Sequence, residues 1–435
     1  MMKINFWVWK NLKKEQKEKL ISRSDTDITS VMQAVIPIIE SVKRNKDRAL
    51  IEFTKRFDKT DISKLPIKVA EQEYNDAEKN LDKNVKTAIE FSILNVSKFH
   101  KKQIPLNLYN LKILPGISAG ERFLPIDSAG LYVPRGRGSF PSMLYMLAVP
   151  ALVAGVSRVC IVTPPNSDGS VDPACLYAAK ICGIKEVYRV GGAQAIAALA
   201  FGTESIKPVV KIVGPGSAYV AAAKRILYGK IDVGLPAGPS ESIVLADEKT
   251  DPYRAALDLL IEAEHGSDSA AILVTDSNKL VENVKKHITS MIETIPEPRK
   301  KFLSDVFSGY GGIILAKDMN EAAEIVNLYA PEHLQIATKD PQKTLKLIRN
   351  AGEILLGQET PFSIANYTTG PNAVLPTGGM ARTYSPVSVR DFMKSSSIIY
   401  ADKNGLKSVM NHVIALADYE GFDAHAAALK MRKLE

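Results

Sequence analysis

From about residue 128 onward, short apolar runs alternate with segments of helical periodicity, and this alternation limits the possible folds more than any other feature of the sequence. Runs of this length are typical of buried strands, and strands that alternate with helices form parallel sheets with helices on both faces. The runs lie at 129–133, 158–163, 186–190, 209–213, 242–246, 271–274, 312–316, 334–337 and 353–356. The pattern therefore predicts an α/β protein. Because the chain has 435 residues and single cores stop growing at roughly 250 to 300 residues, we expect two or three lobes. One sheet of nine strands is an alternative, but two sheets suit this length better.

Two amphipathic segments precede the alternating region. Residues 26–57 and 71–102 carry apolar side chains at three- and four-residue spacing, which predicts two long helices. Asp25 and Thr26 are candidate caps of the first helix. Pro37 lies inside that helix and predicts a bend in it.

The domain boundaries are predicted from clusters of glycine and proline and from the end of the alternation. One lobe is predicted at 129–238, and the flanking segments 26–128 and 239–385 are predicted to form a second, discontinuous lobe. Residues 1–25 are expected to be a short helical segment. Residues 386–435 lack the alternation, so this tail is expected to pack elsewhere, for example on a partner subunit.

The composition excludes several classes of protein. Hydrophobic residues make up 46% and charged residues 24%, as in ordinary soluble proteins, and no apolar run approaches the roughly 18 residues of a membrane span. Lys and Arg number 56 against 48 Asp and Glu, but the excess lies in mixed-charge helical segments without a nucleic-acid-binding motif. Cys160, Cys175 and Cys182 lack metal-binding spacing and are expected to be buried, reduced thiols. We therefore expect a cytoplasmic protein that binds neither nucleic acid nor membrane.

Three histidines stand close to carboxylates in the sequence. The groups are Glu262 with His265, Glu332 with His333, and Glu420 and Asp423 with His425. Imidazole and carboxylate together suit zinc, and a histidine held by a neighbouring group suits a general base. Each group by itself is explained as well by an ordinary hydrogen-bonded histidine, because acids and histidines are often neighbours by chance. His100, His287 and His412 lie in charged helical segments and are interpreted as surface residues.

Two of these groups have a predicted local geometry. Glu262 and His265 are spaced i and i+3 near the end of a predicted helix, so they share one face and can chelate one ion. Ala330 precedes a proline, which favours an extended backbone there. Glu332 and His333 are therefore expected in a turn or at the start of a strand.

Two glycine-rich turns follow apolar runs and lead into helices. They are residues 190–194 (VGGAQ) and 213–217 (VGPGS). Such turns present backbone N–H groups to a phosphate, but neither has the GxGxxG spacing, so an ordinary strand-to-helix turn is an equal interpretation. The loop at 236–241 (PAGPSE) is rigid and directs the Ser240 hydroxyl either toward a ligand or into a cap of the next element.

Eight sequence blocks, in one order along the chain, resemble the histidinol dehydrogenase family. They are GLYVP (130–134), VGGAQAIAALAFGTE (190–204), GPGSAYVAAAKR (214–225), PAGPSE (236–241), AEHG (263–266), APEHL (330–334), GPNAVLPTGG (370–379) and EGFDAH (420–425). The resemblance runs from about residue 25 to the end of the chain. It implies a homodimer with shared active sites, built from two Rossmann-like lobes and small N- and C-terminal helical domains, of which the C-terminal one is exchanged. It also implies oxidation of an amino alcohol, L-histidinol, through an aldehyde to L-histidine, with NAD and one zinc ion per subunit.

The resemblance further implies roles for individual residues. His333 resembles the base that takes the alcohol proton, and Glu332 resembles the residue that activates water in the second step. The implied metal ligands are Glu262, His265, Asn366 and His425. The implied substrate contacts are the same four residues with Ser142, Ser240, His333 and Glu420, the last reaching with His425 from the partner subunit. The implied cofactor contacts are Tyr132, Gln194 and Ser217.

Several positions depart from the family pattern. The family usually has glutamine at the position of Glu262 and aspartate at that of Asn366, so an amide and a carboxylate have changed places, with the number of oxygen donors and the net charge preserved. Further departures are Ala373 for a usual histidine, Ser217 for a usual asparagine, and Arg135 and Arg137 in a glycine-rich stretch. Two arginines there either bind a sulfonate, carboxylate or phosphate, or face solvent.

Three alternative functions remain open at this point. The departures suit a family member that oxidises a different, sulfonated or carboxylated alcohol, as the relatives that oxidise sulfopropanediol do. A zinc-dependent hydrolase with Glu332 as its base is the second alternative, although a hydrolase has no use for the glycine-rich turns. A non-catalytic module that binds a metal or a nucleotide is the third.

Overall fold

The computed structural model describes residues 3–23, 28–135 and 138–432, so Asp25, Thr26 and Arg137 lie outside the described residues. The chain forms two compact units. The first comprises the described residues of segments 1–103 and 127–392, and the second comprises those of segments 104–126 and 393–435.

The described residues of the two units form thirteen strands and sixteen α-helices, which alternate through most of the first unit. The strands are β1 (Phe6–Val8), β2 (Leu108–Leu114), β3 (Ile117–Pro125), β4 (Ser128–Tyr132), β5 (Arg158–Val162), β6 (Val187–Tyr188), β7 (Lys211–Val213), β8 (Glu241–Ala246), β9 (Ala270–Thr275), β10 (Gly312–Leu315), β11 (His333–Ile336), β12 (Glu353–Leu356) and β13 (Met393–Ala401). The α-helices are α1 (Lys14–Ser22), α2 (Ile28–Phe53), α3 (Glu71–Asn80), α4 (Lys83–His100), α5 (Pro141–Ala154), α6 (Pro173–Ile181), α7 (Gly192–Phe201), α8 (Ala218–Leu227), α9 (Pro252–Ala263), α10 (Asn278–Thr294), α11 (Arg299–Ser308), α12 (Met319–Tyr329), α13 (Pro341–Leu345), α14 (Phe362–Tyr367), α15 (Lys403–Glu420) and α16 (Asp423–Lys430).

Six strands of the first unit form one parallel sheet, in the order β1-β10-β9-β8-β11-β12. Helices α9, α10, α11 and α14 contribute to the core on one face, and α1 and α12 contribute to the core on the other. Every residue of β8 and β9 is buried, as is typical of parallel strands that lie between two layers of helices. The predicted α/β class, with parallel sheets flanked by helices, is confirmed.

Four other strands form a second parallel sheet, in the order β6-β5-β4-β7. Helices α2, α7 and α8 share a core with it, and α5 also packs on β4 and β5. The chain runs from β4 outward to β5 and β6 and then returns to place β7 on the other side of β4. Ligands of such sheets bind beyond the carboxyl ends of the strands at this reversal.

The helices before β2 differ from the prediction. The second predicted helix is two helices, α3 and α4, because Asp82 starts a new helix by accepting hydrogen bonds from two backbone N–H groups of its first turn. In α2 the backbone is non-helical at Lys46, where φ is 50°, while Pro37 lies inside the helix. Helix α2 packs on α7 and α8, which share a core with the four-stranded sheet. The domain prediction instead grouped residues 26–128 with residues 239–385, which contain β8 to β12.

The second unit is built on an antiparallel sheet in the order β13-β3-β2, together with α15 and α16. The C-terminal segment expected to be helical thus also contains a nine-residue strand, β13, paired along its whole length with β3. The sequence does not predict the hairpin of β2 and β3, because β2 is exposed throughout and β3 is mostly half-buried, so neither has the apolar run of a buried strand.

No helix among the described residues is long and apolar enough to cross a membrane. Cys160, Cys175 and Cys182 are free thiols, as expected, although Cys182 is only half-buried.

Candidate active site

The starts of strands β11 and β12 and the last turn of α9 place His333 among carboxylates with little exposed surface. His333 is the first residue of β11 and lies in register with Glu353, the first residue of β12. Its Nδ1 atom lies 3.1 Å from Glu353 Oε2. Its Nε2 atom lies 3.9 Å from Glu262 Oε1 and 3.9 Å from Glu332 Oε1. The predicted strand start at Glu332 and His333 is therefore confirmed.

The carboxylates and the imidazole shift each other's proton affinity. Burial raises the pKa of Glu332 to about 8, against the opposing effect of the neighbouring His333. Burial lowers the pKa of His333, but the three surrounding carboxylates outweigh it and raise the pKa to about 10. The site thus favours positive charge at the imidazole, because the carboxylates Glu262, Glu332 and Glu353 surround one ring.

A second group of buried residues holds the Glu332 carboxylate. Its Oε2 atom accepts a hydrogen bond from the backbone N–H of Glu241 at 2.8 Å. The Glu241 carboxylate accepts a hydrogen bond from Gly378 N at 3.0 Å and lies 3.1 Å from Arg23 Nε, with both side chains of this ion pair buried. The Arg23 guanidinium also lies over the Tyr329 ring at 3.6 Å. Sequence reasoning missed Arg23, Glu241 and Glu353, since none belongs to an acid and histidine group.

Three of the four predicted metal ligands meet in the first unit. Glu262 is wholly buried on α9, and its Oε1 atom accepts a hydrogen bond from Asn366 Nδ2 at 2.7 Å. Its Oε2 atom lies 3.7 Å from His265 Nε2 and has no hydrogen-bond partner among the described residues. Despite burial, the imidazoles of His333 and His265 and the Asn366 hydrogen bond lower the pKa of Glu262, so its carboxylate is charged.

These residues fit a zinc ion by their chemistry. A charged, wholly buried carboxylate oxygen without a partner faces an imidazole nitrogen, and zinc binds both kinds of atom. Ser240 Oγ lies 3.1 Å from His265 Nδ1, where a partner fixes the orientation of a ligating ring. Within the described residues no group of three His, Cys, Asp or Glu side chains is arranged to hold a metal ion. The predicted set includes an amide and His425 of the second unit, so it is not a group of that kind.

The other predicted substrate residues lie in different places. Ser142 is half-buried in the first turn of α5. Glu420 is the last residue of α15, and His425 lies on α16 with its ring 5.2 Å from the Phe422 ring. Glu420 and His425 are exposed and belong to the second unit. Ala373 is half-buried in the first unit.

The predicted cofactor residues lie beside the four-stranded sheet. Tyr132 ends β4, and its hydroxyl accepts a hydrogen bond from Gly192 N at 3.1 Å. Gln194 is only 1% exposed, and both polar atoms of its side-chain amide lack a hydrogen-bond partner in the part of the chain that the structure describes. Gly214 has a φ of 126°, and a Cβ atom there would collide with the Tyr132 carbonyl oxygen. Ser217 precedes α8, is exposed and makes no capping hydrogen bond.

This arrangement fits a dinucleotide. The two glycine-rich turns follow β6 and β7 of one parallel sheet, and each leads into a helix N-terminus. A buried amide without a partner is costly unless a ligand satisfies it. Arg135, one of the two unusual arginines, donates a hydrogen bond from Nη1 to Pro165 O at 3.1 Å.

Two local interpretations of the sequence are wrong. His100 is not a surface residue but wholly buried. Its two ring nitrogens find polar partners inside the protein, since they lie 3.1 Å from Val96 O and 3.2 Å from Asn372 Nδ2. Ala330 is not extended but left-handed, with φ 49°, because it ends α12 and its N–H bonds back to Val326 O. His287 is half-buried and His412 exposed.

Comparison with known proteins gives a consistent result. The family model described as histidinol dehydrogenase matches residues 21–433. Histidinol dehydrogenase of Synechocystis sp. is 49% identical over 423 residues, which cover 97% of this chain and 98% of the relative. A histidinol dehydrogenase homolog of Rhizobium meliloti is also 49% identical, over 99% of this chain and 94% of the relative. The crystal structure of histidinol dehydrogenase from Elizabethkingia anophelis matches with a TM-score of 0.94 and 33% identity, covering 99% of this chain and 98% of that chain.

Proposed function

Because the chain belongs to the histidinol dehydrogenase family, we propose that it oxidises L-histidinol to L-histidine, through the aldehyde, in two hydride transfers to NAD. The observation that carries this proposal is the buried His333, whose Nε2 atom lies 3.9 Å from Glu262 and 3.9 Å from Glu332. In the first step, His333 Nε2 accepts the proton of the substrate hydroxyl while the hydride leaves the carbinol carbon for NAD. In the second step, Glu332 would take a proton from the water that adds to the aldehyde carbon, and the hydrate anion so formed would give its hydride to a second NAD and become the carboxylic acid.

We propose one zinc ion per subunit, held by Glu262, His265 and Asn366 with His425 of the partner subunit. The Glu262 oxygen without a partner supports this ligand set. When bound, zinc supplies positive charge close to Glu262, which opposes protonation of His333 and leaves that imidazole free to act as a base. The family resemblance supports a homodimer whose sites are completed by the partner subunit's Glu420 and His425.

NAD is the proposed oxidant. The unpartnered Gln194 amide and the two glycine-rich turns support a dinucleotide beside Tyr132 and Ser217. The free thiols of Cys160, Cys175 and Cys182 support the further proposal that the enzyme works in the reducing cytoplasm.

The charge of the site supports an amino alcohol over an anionic one. Three carboxylates with little exposed surface, Glu262, Glu332 and Glu353, surround the single imidazole of His333, and the buried Arg23 pairs with a fourth carboxylate, Glu241. A sulfonate or carboxylate brought to these groups would meet like charge, whereas the ammonium group of histidinol would be attracted. Among the described residues, Arg135 favours an anionic alcohol, but its guanidinium already donates a hydrogen bond to the Pro165 carbonyl oxygen.

The test is the rate of NADH formation by the zinc-loaded enzyme with L-histidinol and with a panel of sulfonated and carboxylated diols. We expect histidinol to have the highest kcat/KM, and the Arg135→Gln variant to retain it. An anionic diol that outcompetes histidinol, with its advantage lost in Arg135→Gln, would replace the proposal by the alternative alcohol. Turnover without NAD would indicate a hydrolase, and binding of zinc and NAD without turnover of any substrate would indicate a non-catalytic module.

A further inference from the structure

Glu353 meets the imidazole of His333 across two paired strands. The two residues are directly opposite each other at the start of β12 and β11, and Glu353 Oε2 lies 3.1 Å from His333 Nδ1. Their side chains are 9% and 3% exposed. In the described part of the chain this is the one hydrogen bond to the imidazole, because Glu262 and Glu332 stand at 3.9 Å, beyond hydrogen-bond distance.

We propose that Glu353 is a positioning residue for the base: its carboxylate accepts the Nδ1 proton of His333 and so leaves Nε2 as the atom that exchanges a proton with the alcohol. This inference rests on the proposed role of His333. It adds a residue that neither the acid and histidine groups of the sequence nor the implied site residues include.

The backbone around Glu353 supports this role. Gly352 N donates to Pro331 O, and Glu353 N donates to Glu332 O, each at 2.9 Å. The start of β12 therefore holds the segment that carries both Glu332 and His333, and the Glu353 carboxylate is delivered to the ring by the same pairing. A fixed strand register places this contact more reliably than a loop would.

The ring needs such an anchor because its other neighbours do not fix its rotation. Two carboxylates lie at equal distances from Nε2, and the Phe362 ring packs against the imidazole at 5.7 Å with its plane tilted by 68°. Neither contact selects which nitrogen carries the proton. A carboxylate at Nδ1 makes that selection, as the acid of a nucleophile, base and acid triad does for its histidine.

The Glu353 carboxylate has a single polar partner among the described residues. Its side chain makes no other hydrogen bond or ion pair in the described residues. Burying a carboxylate costs free energy because the carboxylate loses its water, unless a hydrogen-bonded or charged partner compensates for that loss. His333 is this partner of Glu353.

The experiment compares Glu353→Ala and Glu353→Gln with the zinc-loaded wild type. We expect Glu353→Ala to lower kcat for histidinol about 100-fold, with KM for histidinol and zinc content unchanged in the folded enzyme. Glutamine retains an oxygen that accepts from Nδ1, so Glu353→Gln should regain at least about a tenth of the wild-type kcat. Glu359→Ala, which removes an exposed carboxylate with a side chain 85% exposed, is the matched control and should match the wild type.

A spectroscopic signature keeps the test independent of turnover. A ring proton held by a carboxylate gives a far-downfield imidazole N–H resonance, which should be present in the wild type and absent from both His333→Asn and Glu353→Ala. In the His333→Asn background, Glu353→Ala should cause no further loss of kcat, because the two residues act as one unit.

Three results would overturn the inference: a kcat of Glu353→Ala within twofold of the wild type, a loss of kcat matched by equal loss of zinc, or a downfield resonance that survives in Glu353→Ala. Failure of the proposed function looks different. If the wild type does not oxidise histidinol, or His333→Asn is fully active, the assignment of the base fails, while the resonance still decides whether Glu353 holds the ring.

Discussion

Replacing Glu262 by glutamine should weaken zinc binding much more than it disturbs the fold. One oxygen of the buried Glu262 carboxylate accepts a hydrogen bond from Asn366 at 2.7 Å, and the other has no partner. Glutamine keeps the length of the side chain and one oxygen, but it removes the negative charge that His265 and His333 face at 3.7 and 3.9 Å. The substitution therefore isolates the contribution of that charge.

The expected loss of zinc affinity follows from Coulomb's law and the distances between charged groups in the site. Two unit charges about 4 Å apart interact by about 4 kcal/mol at an effective dielectric constant of about 20, and the separation of Glu262 Oε1 from His333 Nε2 is 3.9 Å. A zinc ion bound by Glu262 would interact with its charge at least this strongly. Each 1.4 kcal/mol changes an equilibrium constant about tenfold, and the retained amide oxygen offsets part of the loss, so the zinc dissociation constant should rise about 100- to 1000-fold.

The assay is competition for zinc against a chromophoric chelator, with the reverse substitution Asn366→Asp and the double variant as companions. Asn366→Asp should bind zinc at least as tightly as the wild type, because it adds a carboxylate. The double variant Glu262→Gln, Asn366→Asp restores one carboxylate and one amide and should come within about tenfold of the wild type. The reasoning is refuted if Glu262→Gln binds zinc like the wild type, or if the double variant binds no more tightly than Glu262→Gln. Glu359→Ala serves again as the surface control.

Three further predictions concern the base, the cofactor and the subunits. His333→Asn should lower kcat about 100-fold or more with full zinc content by metal analysis; loss of zinc instead would mean that His333 is a ligand. Gln194→Leu should raise KM for NAD about tenfold without changing zinc content or histidinol binding by calorimetry, and an unchanged KM for NAD would remove Gln194 from the cofactor site. His265→Ala and His425→Ala should each be inactive alone, but subunits mixed after denaturation and refolding should regain activity, because each mixed dimer contains one site with both histidines intact. No regained activity would mean that His425 does not act in the partner's site.

The strands and the paired site residues could be predicted because their signals are local. Buried parallel strands are continuous apolar runs, as in β8 and β9. Glu262 lies in the last turn of α9 and His265 in the turn that follows, where His265 N donates to Glu262 O at 3.3 Å. The predicted i, i+3 spacing thus brings the two side chains together, with Glu262 Oε2 3.7 Å from His265 Nε2. These features depend on residues a few positions apart, which a single sequence displays directly.

The contacts that sequence reasoning missed join distant parts of the chain. Arg23 meets Glu241 across more than two hundred residues, and Glu353 meets His333 only because β11 and β12 pair in one register. His100 has the neighbours of a surface helix, yet Asn372, 272 positions away, contacts its ring. Such contacts depend on how helices and strands pack together, and the residues next to each partner in the sequence do not indicate that packing.

The Ala330 prediction failed for a different reason. The rule that a residue before proline is extended competes with the need of a helix to end, and at Ala330 the end of α12 prevails. Arg23 supports the outcome by donating from Nη2 to the carbonyl oxygen of Tyr329 at 2.5 Å. The preference of a residue before proline for an extended backbone was thus outweighed by the end of α12 and by the contact with Arg23.

The stoichiometry of NADH formed per L-histidinol consumed tests the central claim most directly, since it asks whether one site performs both oxidations. The measurement uses zinc-loaded enzyme with excess NAD and limiting histidinol, and it follows NADH by absorbance and histidine by chromatography. The account predicts two NADH and one histidine for each histidinol, with no aldehyde released. One NADH with accumulated aldehyde, or no NADH from histidinol under conditions where an anionic alcohol reduces NAD, would contradict it.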